Sequence, residues 1–435
     1  MFEKYDAYKD SCVEWIGHIP RHWEIEKAKW IFLKADRPIR PNDGIVTCFR
    51  DGQVTLRSNR RTDGFTNALK EHGYQGIRKG DLVIHAMDAF AGAIGVSDSD
   101  GKSTPVYSAC IPRIKNRINV HYYAYYLRNL ALAGFIESLA KGIRERSTDF
   151  RFADFAELLL PFPEIEDQER IVAFLDQKTS EIDQAIATKE QQIALLNERQ
   201  QIVIQKAVTQ GLNPNVPMKD TGVEWIGKIP EHWTTSKIRY LGTTQNGISA
   251  GGEYFGSGYP FVSYGDVYKN RVLPVEVKGL AQSTLSDQVS FSVQEGDIFF
   301  TRTSETIEEI GFASVCFKTI DKAVFAGFLI RFRASKKAQL LKEFSKYYFS
   351  SAMMRKYFVK EMNLVIRASL SQELLKNLDV LLPPISEQKQ IFEYLEDVTE
   401  KIDLAVSVKK SEIEKLKEYK TTLINDAVTG KIKVA

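Results

Sequence analysis

Residues 8–23 read YKDSCVEWIGHIPRHW, and residues 218–233 read MKDTGVEWIGKIPEHW. Eleven of the sixteen positions are identical, and each copy carries two tryptophans. Identity of this length at an offset of 210 residues indicates an internal repeat, which the architecture of the whole chain has to accommodate. A chain of 435 residues also exceeds the size of a single hydrophobic core, so we expect at least two domains.

The repeat continues beyond this motif, at offsets that rise from 216 to 222 residues. The further matches that we identify are Gly80-Asp81 with Gly296-Asp297, Gly95 with Gly311, Arg113 with Arg331, and Tyr125-Tyr126-Leu127 with Tyr347-Tyr348-Phe349. The interiors, residues 24–160 and 234–382, otherwise agree only at scattered positions. Similar flanking segments around two different interiors predict one type of binding domain that occurs twice and recognises two different targets.

Two stretches, residues 165–210 and 385–429, have the pattern of long helices. Neither contains proline or glycine, and apolar residues recur in steps of three and four, which is typical of a coiled coil. Pro163 and Pro383-Pro384 precede them, where proline is compatible with a helix start. A helix of about 45 residues is roughly 67 Å long. Because neither helix can bury its apolar stripe alone, we expect an antiparallel pair; an ordinary internal bundle is the alternative.

The interiors combine strand patterns with helix patterns. Residues 80–87 (GDLVIHAM) and 295–302 (EGDIFFTR) contain or follow a Gly-Asp turn and have the composition of strands. Residues 120–140 and 340–358 are amphipathic at helical spacing, so we expect the tyrosines between 122 and 126 to be core residues and not a base-stacking platform. The glycine-rich residues 245–261 have no helical period, and we expect a loop there.

These patterns predict the fold class α+β, with two pseudo-repeated mixed α/β domains joined by two long antiparallel coiled-coil helices. The boundaries that we expect are 1–162 for the first domain, 163–211 for the first long helix, 212–382 for the linker and second domain, and 383–435 for the second long helix.

The net charge of +3 is unevenly distributed. The interiors 24–160 and 234–382 carry +5 each, whereas residues 163–211 carry −4 and residues 383–435 carry −1. Basic blocks of this size favour a polyanionic partner. The sequence has no signal peptide and no apolar stretch long enough for a membrane span, so we expect a cytoplasmic protein that does not bind a membrane. Four widely spaced cysteines predict free thiols.

Motifs for catalysis or metal binding do not account for this chain. Gly95 and Gly101 are separated by five residues, whereas a phosphate-binding P-loop needs four, so a polar hairpin turn is the better interpretation. The six histidines include no HExxH pair, and we expect His22 and His232 in the duplicated motif to have structural roles. The sequence therefore predicts a chain that is not an enzyme and that holds no metal or cofactor of its own.

The duplicated KDxxVEWIGxIPxHW motif, together with PPISEQKQIFEYLEDVTEKID and a closing AVTGKI, resembles the specificity subunits of type I restriction–modification systems. The resemblance covers nearly the whole chain. It implies two target-recognition domains that read the two parts of a bipartite site in double-stranded DNA, and antiparallel helices that set the gap between them. It also implies two modification (methyltransferase) subunits and, in the full complex, restriction (motor) subunits. S-adenosylmethionine, ATP and Mg would then be bound by those partners.

Base reading needs polar side chains on loops, and we select candidates of this kind in both interiors. The candidate DNA-binding residues are Arg57, Asn59, Arg60, Arg61, Lys102, Arg144, Lys269, Asn270, Arg271, Arg302, Thr303, Ser304 and Arg367. The candidate partner-binding residues on the long helices are Ile171, Leu175, Ile182, Ile193, Leu196, Ile391, Leu395, Ile402, Ile413 and Leu416.

Two other interpretations fit the same residues. The chain could be a specificity-like subunit of a methylation-only or phage-exclusion system, which shares the DNA-reading role but not the nuclease. It could also be a coiled-coil scaffold that binds no DNA.

Overall fold

A computed structural model describes residues 2–60, 72–139, 149–303, 310–354, 357–358 and 369–434. The chain divides into two compact units. Unit 1 comprises Met1–Lys189 and Lys410–Ala435, and unit 2 comprises Glu190–Lys409. Each unit therefore contains one interior and a part of both long helices.

The secondary structure of unit 1 combines short strands with short helices. Its strands are β1 (Tyr8–Asp10), β2 (His18–Pro20), β3 (Glu24–Lys27), β4 (Phe32–Lys34), β5 (Val46–Cys48), β6 (Val54–Leu56), β7 (Gln75–Ile77), β8 (Leu82–His85), β9 (Ile94–Val96), β10 (Gly101–Ser103), β11 (Tyr107–Pro112) and β12 (Leu159–Phe162). Its short helices are α1 (Ala28–Ile31), α2 (Val120–Leu132), α3 (Phe135–Ser138) and α4 (Phe152–Ala156).

Unit 2 repeats much of this order. Its strands are β13 (Met218–Asp220), β14 (Lys228–Pro230), β15 (Thr234–Lys237), β16 (Gly242–Asn246), β17 (Phe255–Val262), β18 (Gly279–Ala281), β19 (Asp297–Thr301), β20 (Ala313–Val315), β21 (Val324–Phe325), β22 (Leu329–Ala334) and β23 (Asp379–Leu382). Its short helices are α6 (Ile238–Leu241), α7 (Tyr264–Lys269), α8 (Leu285–Ser290), α9 (Lys342–Tyr348) and α10 (Gln372–Asn377). The long helices, shared between the units, are α5 (Ile165–Gln210) and α11 (Ile385–Val428).

The central sheets of the two units have the same topology. Strands lie in the antiparallel order β4-β11-β8-β9 in unit 1 and β16-β22-β19-β20 in unit 2. In each unit a two-stranded pair, β3 with β12 or β15 with β23, joins the start of the interior to its end. The predicted mixed fold and the predicted duplication are both confirmed.

The strand register corrects two of the predicted matches. Val83 of β8 is opposite Gly95, and its counterpart Phe299 of β19 is opposite Ser314, so Gly95 corresponds to Ser314 and not to Gly311. The same sheets place Arg113 and Ser335 at equivalent positions, and Arg331 matches a residue inside β11. Single identical residues in a diverged interior are weak markers because strand pairing, not residue identity, sets the alignment.

The tyrosines of α2 are core residues, as the helical spacing predicts. Tyr122, Tyr123 and Tyr126 are fully buried in the main hydrophobic cluster of unit 1. The prediction of a loop over residues 245–261 is wrong in part, because residues 255–262 form β17 between β18 and β21. Gly256 and Gly258 have φ angles of +99° and +100° and lie in a bulge, where Phe255 and Tyr259 both face Ala281. The glycines thus shape a bent strand.

The duplicated motif is bound to the start of a long helix in each unit. In unit 1 the indole nitrogen of Trp23 donates to Asp167 Oδ2 at 2.9 Å, and His22 Nε2 lies 2.7 Å from the same oxygen. In unit 2, Trp233 and His232 contact Glu387 at 2.9 and 2.6 Å. The motif is therefore a structural clamp on the first turn of α5 and of α11.

A buried glutamine in the next position of each helix completes this clamp. The Gln168 side chain accepts from the backbone N–H of Asn119 at 2.8 Å and donates to the carbonyls of Pro163 and Arg117. Gln388 makes the same three bonds in unit 2, to Leu341, Pro383 and Gln339. Both glutamines are fully buried, so each has exchanged water for three protein partners.

The long helices pair in antiparallel fashion within each unit. In unit 1, Lys420 contacts both carboxylate oxygens of Asp183 at 2.7 Å. In unit 2, Gln200 donates to Asp403 at 2.9 Å. Position 183 corresponds to 403 and position 200 to 420 at the offset of 220 residues, so the two contacts are equivalent. The predicted antiparallel pairing is confirmed on both sides of the repeat.

The apolar seam of the helices packs inside the units. Ile171, Leu175, Ile182, Ile391, Leu395, Ile402 and Ile413 are buried, and Ile193, Leu196 and Leu416 are half-buried. Burial within the chain leaves the seven buried side chains little surface for a partner, and partner binding through the seam residues stays a prediction. No helix within the described ranges combines the length and apolarity that a membrane span requires.

Candidate nucleic-acid interface

A hairpin and the turn that follows it place three of the six candidate residues of unit 1. Strands β5 and β6 pair antiparallel, and residues Phe49–Gln53 connect them. A 3₁₀ turn over Arg57–Asn59 follows β6 directly. Arg57 is held by a weak bond from its Nε to Thr47 at 3.4 Å, and the Asn59 amide donates to Thr55 at 2.8 Å. These two side chains are thus engaged with the hairpin itself.

Arg60 lies beside the hairpin tip. Its Nη1 is 2.7 Å from Asp51 Oδ2, and its guanidinium lies 4.1 Å from the centre of the Phe49 ring. Arg50 at the tip was not among the predicted residues. Its Nη2 donates to Asp88 Oδ1 at 2.8 Å, and 64% of its side chain is exposed. The signal was present in the sequence, because Arg-Asp-Gly between two short β-branched stretches is typical of a hairpin turn.

A half-buried arginine of α2 packs against this tip. Arg128 Nη2 donates to the Arg50 carbonyl at 3.4 Å, and its Nε donates to the Gly92 carbonyl at 3.3 Å. Burial lowers the pKa of Arg128, and Asp51 is the first of the charges that oppose this shift. A Cβ on Gly52 would lie 2.7 Å from Arg128 Nε, so glycine is needed at that position for the close approach.

The other candidates of unit 1 are placed differently. Lys102 lies in β10, opposite Gly76 of β7, and is half-buried. Arg61 and Arg144 lie outside the residues that the structure describes. The hairpin and the 3₁₀ turn therefore bring together Arg57, Asn59 and Arg60, and Lys102 lies beside them because its backbone forms a bridge with Ile45, whose carbonyl accepts from the Arg57 N–H.

In unit 2, three of the candidates line one cavity of about 350 Å³. Lys269, Asn270 and Arg271 form part of its wall, with Tyr268 and Phe312 beside them. Asn270 also donates to the carbonyl of Asp266 at 2.8 Å. The combination of two cations with aromatic rings suits an anionic or aromatic ligand.

Two of the remaining candidates of unit 2, Arg302 and Thr303, directly follow β19. The Nη1 of Arg302 is 3.5 Å from the Gly327 carbonyl. Thr303 forms an isolated bridge with Ser369. Ser304 and Arg367 lie outside the described residues. Base contact by any candidate residue stays a prediction.

Ion pairs in the sheets support both interiors. In unit 2, Arg333 binds both oxygens of the buried Asp297 at 2.6 Å. Burial lowers the pKa of the neighbouring Arg331 to about 10, reinforced by the positive charge of Arg333 and opposed by Asp297. In unit 1, Arg78 Nη1 lies 3.1 Å from Asp43. These charged side chains are fixed by their partners and are therefore poor candidates for ligand contact.

Among the residues that the structure describes, no group of three or more His, Cys, Asp or Glu side chains is arranged to hold a metal ion. Of the four free cysteines, Cys12 is exposed and Cys48, Cys110 and Cys316 are buried. Burial raises the pKa of Cys316 to about 12, so its thiol is protonated at neutral pH.

Residues 230–415 match the family described as type I restriction modification DNA specificity domain. The type I restriction enzyme MjaVIII specificity subunit of Methanocaldococcus jannaschii is 24% identical over 334 residues, which cover 74% of this chain and 72% of the relative. The putative type I restriction enzyme MjaX specificity subunit of the same organism is 25% identical over 459 aligned positions, covering 100% of this chain and 98% of the relative.

One solved structure, from work on complex assembly and conformational transition of the type I R-M system, is similar in fold. It aligns with a TM-score of 0.72 at 15% identity, over 94% of this chain and 98% of the other. At that identity the similarity concerns the fold alone, and it extends over both repeats.

Proposed function

The chain belongs to the type I restriction–modification specificity subunits, and we propose that it reads the DNA sequence on behalf of such a complex. The observation that carries this proposal is the use of one frame for two interiors. The same clamp, Trp23 on Asp167 and Trp233 on Glu387, supports interiors whose surface residues differ. A frame built twice supports two similar docking events, and divergent interiors support two different base sequences.

In this proposal each unit reads one part of a bipartite double-stranded DNA site. The positive charge of both interiors suits the phosphate backbone, which supplies affinity without sequence information. Polar side chains of the loops then supply the sequence reading, as in the hairpin of unit 1 and the cavity wall of unit 2.

The long helices set the spacing of the two reading units in this proposal. Helix α5 extends over 46 residues and α11 over 44, and both contribute to unit 1 and to unit 2. A continuous helix transmits a length change directly, at 1.5 Å per residue. The gap in the recognised site would therefore follow helix length and not the identity of the loops.

Catalysis in this proposal belongs to partner subunits. The chain would be a non-catalytic, cytoplasmic component, with modification subunits supplying S-adenosylmethionine chemistry and restriction subunits supplying ATP- and Mg-dependent steps. Four exposed apolar side chains on the helices in unit 2 support a docked partner: Leu195, Ile202, Leu404 and Val408. The residue after each of them is half-buried (Leu196, Val203, Ala405 and Lys409), and in an antiparallel pair the positions just before such residues share one side.

The proposal is tested by base-resolution sequencing of DNA methylation in a host that lacks its own modification systems. The modification subunit is expressed alone or with this chain. We expect a bipartite methylated motif that requires this chain. Identical methylation in both cultures, or none in either with both proteins soluble and associated, would contradict the proposal. Gel-shift measurements with the same complex, in excess competitor DNA, separate a sequence reader from a scaffold that binds no DNA.

A further inference from the structure

The hairpin tip of unit 1 is a rigid platform. The Phe49 N–H donates to the Gln53 carbonyl and the Gly52 N–H donates to the Phe49 carbonyl, both at 2.9 Å. Asp51 Oδ1 accepts from the Gln53 N–H at 3.1 Å, which closes the turn a second time. Gly52 has a φ angle of +89°, which a side chain would strain. Together with the bond from Arg128, these contacts fix the backbone of Arg50.

Two exposed arginines on this platform are each held by a carboxylate and an aromatic ring. Arg50 is bound to Asp88 at 2.8 Å, and its guanidinium is 6.0 Å from the centre of the Phe90 ring. Arg60 is bound to Asp51 at 2.7 Å and stacks over Phe49 at 4.1 Å. The same combination of contacts thus occurs twice beside one hairpin tip, with partners from different turns.

This arrangement reduces the entropy that each arginine loses on binding. A free arginine side chain loses rotamer entropy on binding, and a planar fork that is already oriented loses less of it for each hydrogen bond formed. Arg50 gives one terminal nitrogen to Asp88, and Arg60 gives one to Asp51. The rest of each fork can form the bidentate contact that arginine makes with O6 and N7 of guanine in the major groove.

Phosphate binding fits the same geometry poorly. A phosphate contact needs positive charge but little orientation, and a carboxylate within 3 Å of each guanidinium offsets that charge and repels the DNA backbone. The edge of a guanine base is neutral, and its hydrogen bonds to arginine depend on the orientation of the guanidinium. We propose that Arg50 and Arg60 form a guanine-reading site in unit 1, with Asp88 and Asp51 as the residues that position them. This inference rests on the proposed function.

The site is specific to unit 1, because residues 24–160 and 234–382 diverge outside the frame. In unit 2 a different combination is exposed near β17, with Lys322 Nζ lying 5.7 Å from the Tyr259 ring centre. A defect in the arginine site should therefore alter one half of the recognised motif only.

The test uses the full chain with its modification subunit and compares methylated motifs in cells. Arg50→Lys and Arg60→Lys keep the positive charge but remove the fork. We expect each variant to become degenerate at a guanine position in one half-site, while the other half-site and the gap are unchanged. Binding measurements should show discrimination at that position falling about 5- to 150-fold. The matched control is Arg40→Lys, whose exposed side chain pairs with Asp100 at 3.1 Å but lies outside the hairpin.

Asp88→Asn provides a second route, because it leaves Arg50 in place and weakens only its support. We expect a smaller loss of discrimination at the same position, and thermal melting verifies that each variant is folded. Retention of the complete motif by both lysine variants would overturn the inference. So would a loss of affinity that is equal for all DNA sequences, since that result indicates phosphate contact. If the wild-type chain itself directs no methylation, the proposed function fails first.

Discussion

The indole nitrogen of Trp23 donates a hydrogen bond to Asp167 Oδ2 at 2.9 Å across 144 residues of sequence. Trp23 is fully buried, and the same oxygen is 2.7 Å from His22 Nε2. Trp233 repeats the bond to Glu387, also at 2.9 Å. This clamp attaches each interior to a long helix and is the most direct structural expression of the duplication.

Replacing the carboxylate of this clamp should destabilise unit 1. In Asp167→Ala the buried Trp23 N–H loses its acceptor, and an unsatisfied buried donor costs about 1–3 kcal/mol. Urea denaturation, followed by tryptophan fluorescence, measures the change in the free energy of unfolding. The control is Glu166→Ala, an exposed carboxylate in the same helical turn. Equal effects of the two variants would argue against a clamp.

The clamp should also contribute a defined pH dependence. Burial alone would raise the pKa of Asp167, but hydrogen bonds from His22, Trp23 and Arg170 outweigh it, and the pKa is lowered. A lowered carboxyl pKa stabilises the folded state at pH values above the unfolded pKa of about 3.9, and this contribution is lost as pH falls through the folded pKa. The stability difference between wild type and Asp167→Ala should therefore be constant above about pH 5 and shrink towards pH 3. A difference that grows on acidification would contradict this assignment.

The end of α11 packs tightly against the same tryptophan. Gly430 has a φ angle of +71°, and a Cβ there would lie 2.5 Å from Pro20 Cδ and 2.9 Å from the Trp23 ring. Gly430→Ala should therefore cost about 1–3 kcal/mol beyond the strain of the backbone angle. Gly17→Ala is the matched control, because Gly17 has the same φ angle of +71° with open space around its Cβ position. Chemical denaturation of both variants separates the clash from the strain.

Helix length should control the gap in the recognised DNA site. The contacts of Asp183 with Lys420 and of Gln200 with Asp403 fix the antiparallel register. Seven residues inserted after Glu190 and after Ser411, at one level of the pair, preserve the seam and lengthen each helix by about 10 Å, or about three base pairs. We expect a methylated motif with the same half-sites and a longer gap. A matched insertion of seven residues into the linker 212–217 should leave the gap unchanged. Either an altered gap in the linker variant or an unaltered gap in the helix variant would refute the idea that helix length sets the spacing.

Sequence reasoning succeeded where the signal is local and repeated. The two copies of the clamp motif, the long helices and the buried tyrosines of α2 follow from identity and from helical period. It failed where glycine is compatible with either a loop or a bulged strand, because Gly256 and Gly258 lie in a bulge of β17 and do not form a loop. It also matched Arg113 with Arg331, because single residues do not reveal strand register.

The candidate reading site shows the same division. Arg60 follows from its polar, turn-rich surroundings, and the Arg-Asp-Gly turn could have indicated Arg50, but only the structure shows that Asp88, distant in sequence, lies 2.8 Å from Arg50. The helix seam shows the converse, since Ile171 and Leu395 have the period of a coiled coil and are nevertheless enclosed by their own units.

The amino-acid sequence by itself determined the duplication, the long helices and the division into constant frame and divergent interiors. Repeats and periodicity follow from the order of residues along the chain and need no knowledge of tertiary contacts. Only the tertiary structure decided that Trp23 clamps Asp167, which carboxylates hold Arg50 and Arg60, and which apolar side chains stay exposed. Those relationships depend on contacts between residues far apart in the chain, where chain folding and not local pattern sets the distance.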